Sequence, residues 1–232
     1  MEYNGLPEAY KSGFKDFLGC KIDLSQKPLI PREETEDWVN AAIGEIKKSL
    51  EQKIHCLDLF SGSGCVGIAV LKKISNAVCD FGEIDDNFLK QIQINLDLNE
   101  IDLSRYKIIK TNVFSNIADK YDFILANPPY VAEERMDEIG EDVKKYEPMI
   151  ALMGGEYGMD FIKMFLENAA GHLNEKGIAY MEIDPQQKEL IEKIINNPPS
   201  LQESYGGQSK KYSSYEFLKD QFGKIRVIKI KK

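Results

Sequence analysis

Apolar positions in this chain keep two rhythms, and they alternate. Trp38, Val39, Ala42, Ile43, Ile46 and Leu50 recur every three or four residues, one face of a helix. Leu29-Ile30-Pro31-Arg32 leads into it. Glu33, Glu34 and Glu36 in its first turn and Lys47-Lys48 near its last suit the helix dipole. Arg32 and these carboxylates read as a solvated helix start. Short apolar runs at Ile54–Leu59, Val78–Gly82, Tyr106–Lys110, Tyr121–Ala126 and Gly177–Ile183 predict strands. Helical patterns lie between and after them: one running through Lys73, then Asp86–Leu98 with Leu89, Ile92 and Leu96 inward, Met159–Leu173, and Lys188–Ile195. Lys224–Ile230 alternates and closes the chain as an antiparallel strand. Residues 1–24 are mixed, with a candidate strand near Lys21–Leu24. Strands alternating with helices predict a parallel sheet with right-handed crossovers.

Two tracts break the alternation. Val131–Tyr157 is a long insert after the fourth strand, and its length there suggests a lid or substrate wall. Residues 197–215, rich in Pro, Ser, Gly, Gln and Lys, read as a mobile loop. Asn197-Pro198-Pro199-Ser200 within it reads as a turn.

Composition changes this picture little. At 232 residues, 43% apolar and 29% charged, the chain can bury a full core as one domain. A net charge of −8 argues against bulk attraction to nucleic acid. Cys20, Cys56, Cys65 and Cys79 show no C-x-x-C spacing and read as reduced core residues; with two scattered histidines, no metal site is expected. No segment looks like a membrane span or a leader, so a cytoplasmic location is expected.

Chemistry concentrates at the predicted strand ends. Phe123-Ile124-Leu125-Ala126 runs straight into Asn127-Pro128-Pro129-Tyr130. Two prolines cannot donate to a sheet, so the strand must end at Asn127. That end offers a side-chain amide, backbone carbonyls and an aromatic face, which together suit a planar –NH₂ group. After the first strand, Gly62-x-Gly64-x-x-Gly67 opens a helix, where backbone N–H groups can hold a ligand. Glu83 ends the second strand and can accept from both hydroxyls of a ribose. This matches a dinucleotide fingerprint, yet no proton donor for hydride chemistry accompanies it. S-adenosylmethionine needs the same ribose carboxylate and close backbone approach, with Asp58 placed near its amino group. S-adenosylmethionine is therefore the expected cofactor.

With these motifs placed, the chain resembles the HemK/PrmC family of protein glutamine N5-methyltransferases, which modify peptide chain release factors. Leu29-Ile30-Pro31-Arg32-Glu33-Glu34-Thr35-Glu36 is similar to that family's "LIPRxETE". Asp58 to Gly64 resembles its cofactor loop, Glu83 its ribose acid and Asn127–Tyr130 its substrate clamp. Tyr146-Glu147-Pro148, Ala151-Leu152, Gly154-Gly155 and Gly158-Met159-Asp160 resemble the stretch after the clamp, and Glu182-Ile183 with Gln187 its "LEI…Q". The resemblance implies an α/β class I methyltransferase fold: a Rossmann-like, mostly parallel seven-stranded sheet with helices on both faces and an antiparallel C-terminal strand. It implies a catalytic set of Asn127, Pro128, Pro129 and Tyr130. It implies cofactor contacts from Asp58, Phe60, Ser61, Gly62, Ser63, Gly64, Glu83, Asn112, Val113 and Asn127. The implied partner is a release factor, methylated on the glutamine of its Gly-Gly-Gln motif, with no membrane and no stable nucleic-acid partner.

Three departures accompany it. The family's bacterial members usually carry an N-terminal helical bundle that helps dock the release factor. Residues 1–30 are expected to be a short segment in its place, ahead of a catalytic domain over 31–232. Asn112 stands where the family often has Asp. Gly206-Gly207-Gln208 repeats the methylated tripeptide, and chance recurrence in a biased loop is the reading adopted. The alternatives are an adenine N6-methyltransferase acting on DNA or RNA, since Asn-Pro-Pro-Tyr is shared with those enzymes, and a non-catalytic module that binds S-adenosylmethionine or a partner.

Overall fold

The structure is a computed structural model, and it describes residues 5–49, 52–196 and 211–232. Leu50, Asn197–Ser200 and Gly206-Gly207-Gln208 lie outside the described residues, as does most of the expected loop over 197–215.

A short helix α1 (Glu8–Ser12) precedes a hairpin of β1 (Phe14–Phe17) and β2 (Cys20–Asp23). Then come α2 (Glu33–Ile46), β3 (Ile54–Leu59), α3 (Cys65–Lys73), β4 (Ala77–Glu83), α4 (Asp86–Leu98), β5 (Tyr106–Lys110) and β6 (Tyr121–Ala126). Beyond the clamp residues lie α5 (Glu141–Tyr146), α6 (Asp160–His172), β7 (Leu173–Glu182), α7 (Lys188–Asn196), β8 (Ser214–Lys219) and β9 (Ile225–Lys231). Seven strands form one sheet in the order β5-β4-β3-β6-β7-β9-β8. The first five are parallel, and β9 joins β7 and β8 antiparallel. This is the expected α/β sheet.

Both sheet faces are covered, so the central strands are largely apolar and successive residues serve opposite cores. Cys56, Phe81, Phe123 and Leu125 face the layer of α2, α3 and α4, against Trp38, Val39, Ile43, Ile68 and Ile92. Leu57, Leu59, Ile124 and Met181 face the layer of α6 and α7, against Ile162, Phe165 and Ile191. No helix among the described residues is long and apolar enough to cross a membrane.

The expected elements differ from the observed ones in three places. Residues 14–17 lie in the stretch described as mixed and residues 214–215 at the end of the expected loop, and they belong to β1 and β8, the latter running on to Lys219. Both are short, with only Phe17 buried and Tyr215, Phe217 and Leu218 half-buried, so neither carries the apolar run that marks the central strands. In α4 the inward face is Phe88, Gln91, Ile92, Asn95 and Leu96, and Leu89 is only half-buried. Two amides stand on that face because they have buried work. Asn95 accepts from the Asp23 N–H at 2.7 Å and donates to the Ser63 carbonyl at 2.9 Å, tying the hairpin to the loop before α3. Gln91 accepts from the Gln26 N–H at 2.8 Å.

The chain leaves β3 outward through β4 to β5, then returns to β6 on the other side of β3. In an open α/β sheet such a reversal leaves a crevice at the strands' carboxyl ends. The insert after β6 is built of short helical turns plus α5. It is pinned back by Val131 N–H to the Leu152 carbonyl (2.9 Å) and Gly154 N–H to the Val131 carbonyl (2.8 Å).

Candidate cofactor and amide site

The crevice holds an open cavity with about 1000 Å³ of empty space up to its mouth. Four strand ends meet there, and each brings a different chemistry. After β3 the chain must turn sharply into α3. Phe60, Gly62 and Gly64 all take positive φ (62°, 53° and 78°), which glycine tolerates best. The Ser61 hydroxyl fixes the turn by donating to the Asp58 carbonyl at 2.7 Å and the Gly82 carbonyl at 3.2 Å. Further on, a Cβ on Gly67 would sit 2.4 Å from the Phe81 ring, so only glycine lets α3 lie this close to β4.

Glu83, at the end of β4, takes three backbone N–H groups: Gly62 at 2.8 Å, Ile84 at 2.7 Å and Asp85 at 3.0 Å. Burial pushes its carboxyl above the usual carboxylate range, and the three donors oppose that shift. Phe60 to Ser63, Glu83, Asn112 and Val113 all line the cavity. Gly64 caps α3 just behind that wall. Val113 is held with φ at 52°, and its carbonyl accepts from the Thr111 hydroxyl at 2.9 Å.

Asp58 is placed differently. It is fully buried beneath the loop, and its Oδ2 accepts from the Gly67 N–H at 2.9 Å, so it anchors α3 and is not part of the cavity wall. Burial raises its carboxyl well above the usual range, the Gly67 N–H opposes that, and Glu83 adds to it.

At the end of β6, Asn127 and Pro129 line the cavity, while Pro128 and Tyr130 stand behind it. The segment after the clamp packs tightly against it. Gln187 Nε2 donates to the Tyr130 and Gly158 carbonyls, both at 2.9 Å. A Cβ on Gly154 would meet the Pro129 oxygen and Tyr130 Cα at 2.8 Å, and one on Gly158 would lie 2.0 Å from the Tyr130 oxygen. These two glycines are what allow the close approach.

Two networks at the site escaped the sequence reading. Arg32 does not sit among its own helix carboxylates. It pairs with Glu147, 1% exposed, whose other oxygen accepts from the Ile30 N–H at 3.1 Å. Glu36 instead accepts from the Leu18 N–H at 2.6 Å. In the second network, Glu182 at the end of β7 is completely buried. Its Oε2 accepts from the Thr35 hydroxyl and the Trp38 indole N–H, both at 2.7 Å, and its Oε1 from the Tyr130 hydroxyl at 3.0 Å. Burial raises the Glu182 carboxyl against those three donors, and burial with the nearby Glu182 charge raises the Tyr130 phenol. In the sequence Trp38 carries a helix-face signal and Thr35 stands within the stretch that resembles "LIPRxETE", and neither signal names this contact. Glu182 ends an apolar strand and belongs to the stretch that resembles "LEI…Q", and neither feature names its partners.

Residues 42–146 match the Methyltransferase small domain family. A release factor glutamine methyltransferase from Clostridium botulinum is 32% identical over 238 aligned positions, covering 100% of this chain and 78% of the relative. One from Lactococcus lactis is 30% identical over 225, covering 97% and 77%. Among solved structures, the ribosomal protein L11 methylase of Lactobacillus delbrueckii superposes with a TM-score of 0.59 at 19% identity, covering 90% of this chain and 82% of that one, a likeness of fold.

Proposed function

The chain belongs to the release factor glutamine methyltransferase family, and from that premise we propose that Asn127-Pro128-Pro129-Tyr130 clamps the glutamine side-chain amide of a release factor's Gly-Gly-Gln motif for methylation on nitrogen. The methyl donor is S-adenosylmethionine. The observation that carries the reading is that Asn127 and Pro129 at the end of β6 line the same cavity as the Glu83 carboxylate.

The residues fit the cofactor. Glu83 offers carboxylate oxygens for ribose hydroxyls, and the turn from Phe60 to Gly64, with Gly62 on the cavity wall, lets the backbone come close to a ligand there. Bound there, S-adenosylmethionine supplies an electrophilic methyl group on a sulfonium. Everything else falls to the chain. An amide nitrogen is a poor nucleophile because its lone pair is delocalised into the carbonyl. Asn127 Oδ1 and the Pro128 carbonyl accept its two N–H bonds and hold it in place, and Tyr130 backs the amide plane. Both acceptors also stabilise the positive charge that develops on nitrogen during transfer. Positioning of this kind provides most of the rate, and no general base is needed before the methyl has moved.

The test is transfer of labelled methyl from S-adenosylmethionine to a purified release factor, with mass mapping of the Gly-Gly-Gln peptide. Label on that glutamine is expected. Asn127→Ala is expected to lower turnover by about a hundredfold or more while cofactor affinity stays within about twofold, since it removes an acceptor used in the transition state. Label on DNA or RNA oligonucleotides in place of the release factor would overturn the substrate assignment.

A further inference from the structure

Resting on the amide-clamp reading, we propose that Thr35 is a positioning residue that decides which way round the Asn127 side chain stands. An Asn side chain has an acceptor end and a donor end of nearly the same shape. Only its oxygen can accept a substrate N–H; turned over, it would present –NH₂ to –NH₂ and the clamp would fail. Nothing in the strand end itself settles this choice.

Donor and acceptor chemistry settles it from outside. The Glu182 carboxylate only accepts, and the Trp38 indole N–H beside it only donates. A threonine hydroxyl has a single proton, and at 2.7 Å Thr35 gives it to Glu182 Oε2. What Thr35 has left is lone pairs. Its oxygen lies 3.4 Å from Asn127 Nδ2, so the amide must turn its N–H toward Thr35. The reverse would set two acceptor oxygens face to face. Asn127 Oδ1 is thereby committed to the opposite side, on the residue that forms part of the cavity wall. Thr35 and Glu182 are both buried, and Thr35 stands with Asn127 on the cavity wall, so the relay runs from the buried carboxylate to the edge of the site.

The test compares turnover on the release factor at saturating S-adenosylmethionine for the wild type, Thr35→Val, Thr35→Ser, Asn127→Asp and Thr35→Val/Asn127→Asp. Valine keeps the shape and loses the hydroxyl; serine keeps the hydroxyl. A carboxylate at 127 has no donor end to turn away from the substrate, although it sets an acceptor against the Thr35 oxygen. Thr35→Val is expected to lower kcat about tenfold, the weight of one misplaced hydrogen bond, with Thr35→Ser within about threefold of wild type. In the Asn127→Asp background the same valine is expected not to lower kcat, since no amide is left to turn over and the acceptor–acceptor contact with Thr35 is removed. Equal losses in both backgrounds would show a merely structural residue and overturn the proposal. So would an unchanged kcat in Thr35→Val, or a serine variant no better than valine. If Asn127→Asp shows no turnover, the serine comparison decides. Should Thr35→Val not fold, Thr35→Ala takes its place.

A readout independent of activity accompanies these. The Asn127 side-chain NH₂ resonance, identified by its loss in Asn127→Asp, is expected to shift and lose exchange protection without the Thr35 hydroxyl; an unmoved resonance overturns the proposal. A wild type that methylates no release factor would sink the amide-clamp reading, while this resonance still tests the orientation.

Discussion

The Glu83 carboxylate binds three backbone N–H groups from two separate segments, and every one of those partners is a donor. That makes the position intolerant of even an isosteric amide. In Glu83→Gln one end becomes –NH₂ and must face either Gly62 N–H or the Ile84 and Asp85 N–H pair. The variant is expected to bind S-adenosylmethionine about tenfold or more weakly, as measured by calorimetry, through the lost ribose acceptor and a disturbed loop. The pH dependence follows from the same carboxyl. Burial raises its pKa in the free protein, and a ribose that hydrogen-bonds the charged form pulls it back down. Affinity is therefore full above that raised pKa and falls as pH drops through it, beginning at a higher pH than an exposed carboxylate would give. An affinity flat across the carboxylate range would remove Glu83 from the cofactor site. At this scale the sequence was informative. A strand-ending acid, a glycine loop and Asn-Pro-Pro-Tyr carry their chemistry in residue type and spacing. Glu182 and Thr35 do not, because their meaning is a hydrogen bond across 147 positions of chain.

Between elements, the clamp owes its shape to what is packed behind it. Gly158, with φ at 68°, and Gly154 leave room for the Tyr130 and Pro129 backbone, and Gln187 holds the Tyr130 carbonyl from the turn before α7. Alanine at 158 would put a methyl 2.0 Å from the Tyr130 oxygen and force a left-handed residue as well, a strain of about 1–3 kcal/mol before the clash is counted. Gly158→Ala is expected to cut methyl transfer about a hundredfold, since small displacements of a clamp cost that much. Cofactor affinity is expected to stay within about twofold, because Glu83 and the loop before α3 lie on other strands. Turnover near wild type would show that the clamp can relax. The glycines themselves were visible in the sequence. Which backbone each one admits was not, since that depends on two segments meeting after the sheet is assembled.

Across the whole molecule, Arg32 and Glu147 join the stretch before α2 to the segment after α5, closing one wall of the cavity. Glu147 is buried and Arg32 is about a third exposed, with 35% of its side chain accessible. Losing the guanidinium strands a buried carboxylate with only the Ile30 N–H. Arg32→Ala is expected to cost about 1–3 kcal/mol in urea unfolding, the penalty of an under-satisfied buried group, and to speed cofactor release. A variant as stable as wild type, with unchanged release, would mean the pair is only a surface contact. Reading Arg32 as part of a solvated helix start was reasonable on local grounds, because three carboxylates lie within four residues of it. Tertiary contact chose a fourth, 115 positions away.

The sequence by itself determined the alternation of strands and helices, the parallel sheet and the chemistry at four strand ends. Those properties rest on local periodicity and on residues whose donors, acceptors and backbone freedom travel with them. Its blind spots were β1 and β8, short strands with few buried side chains, and the inward amides of α4, polar residues that are buried because they have partners. Only the tertiary structure decided that Asp58 sits under the loop and not on the cavity wall, that Arg32 meets Glu147, and that Thr35, Trp38 and Tyr130 converge on Glu182. Each of these is a choice among donors and acceptors far apart in the chain, and burial, by excluding water as a substitute partner, is what makes the choice binding.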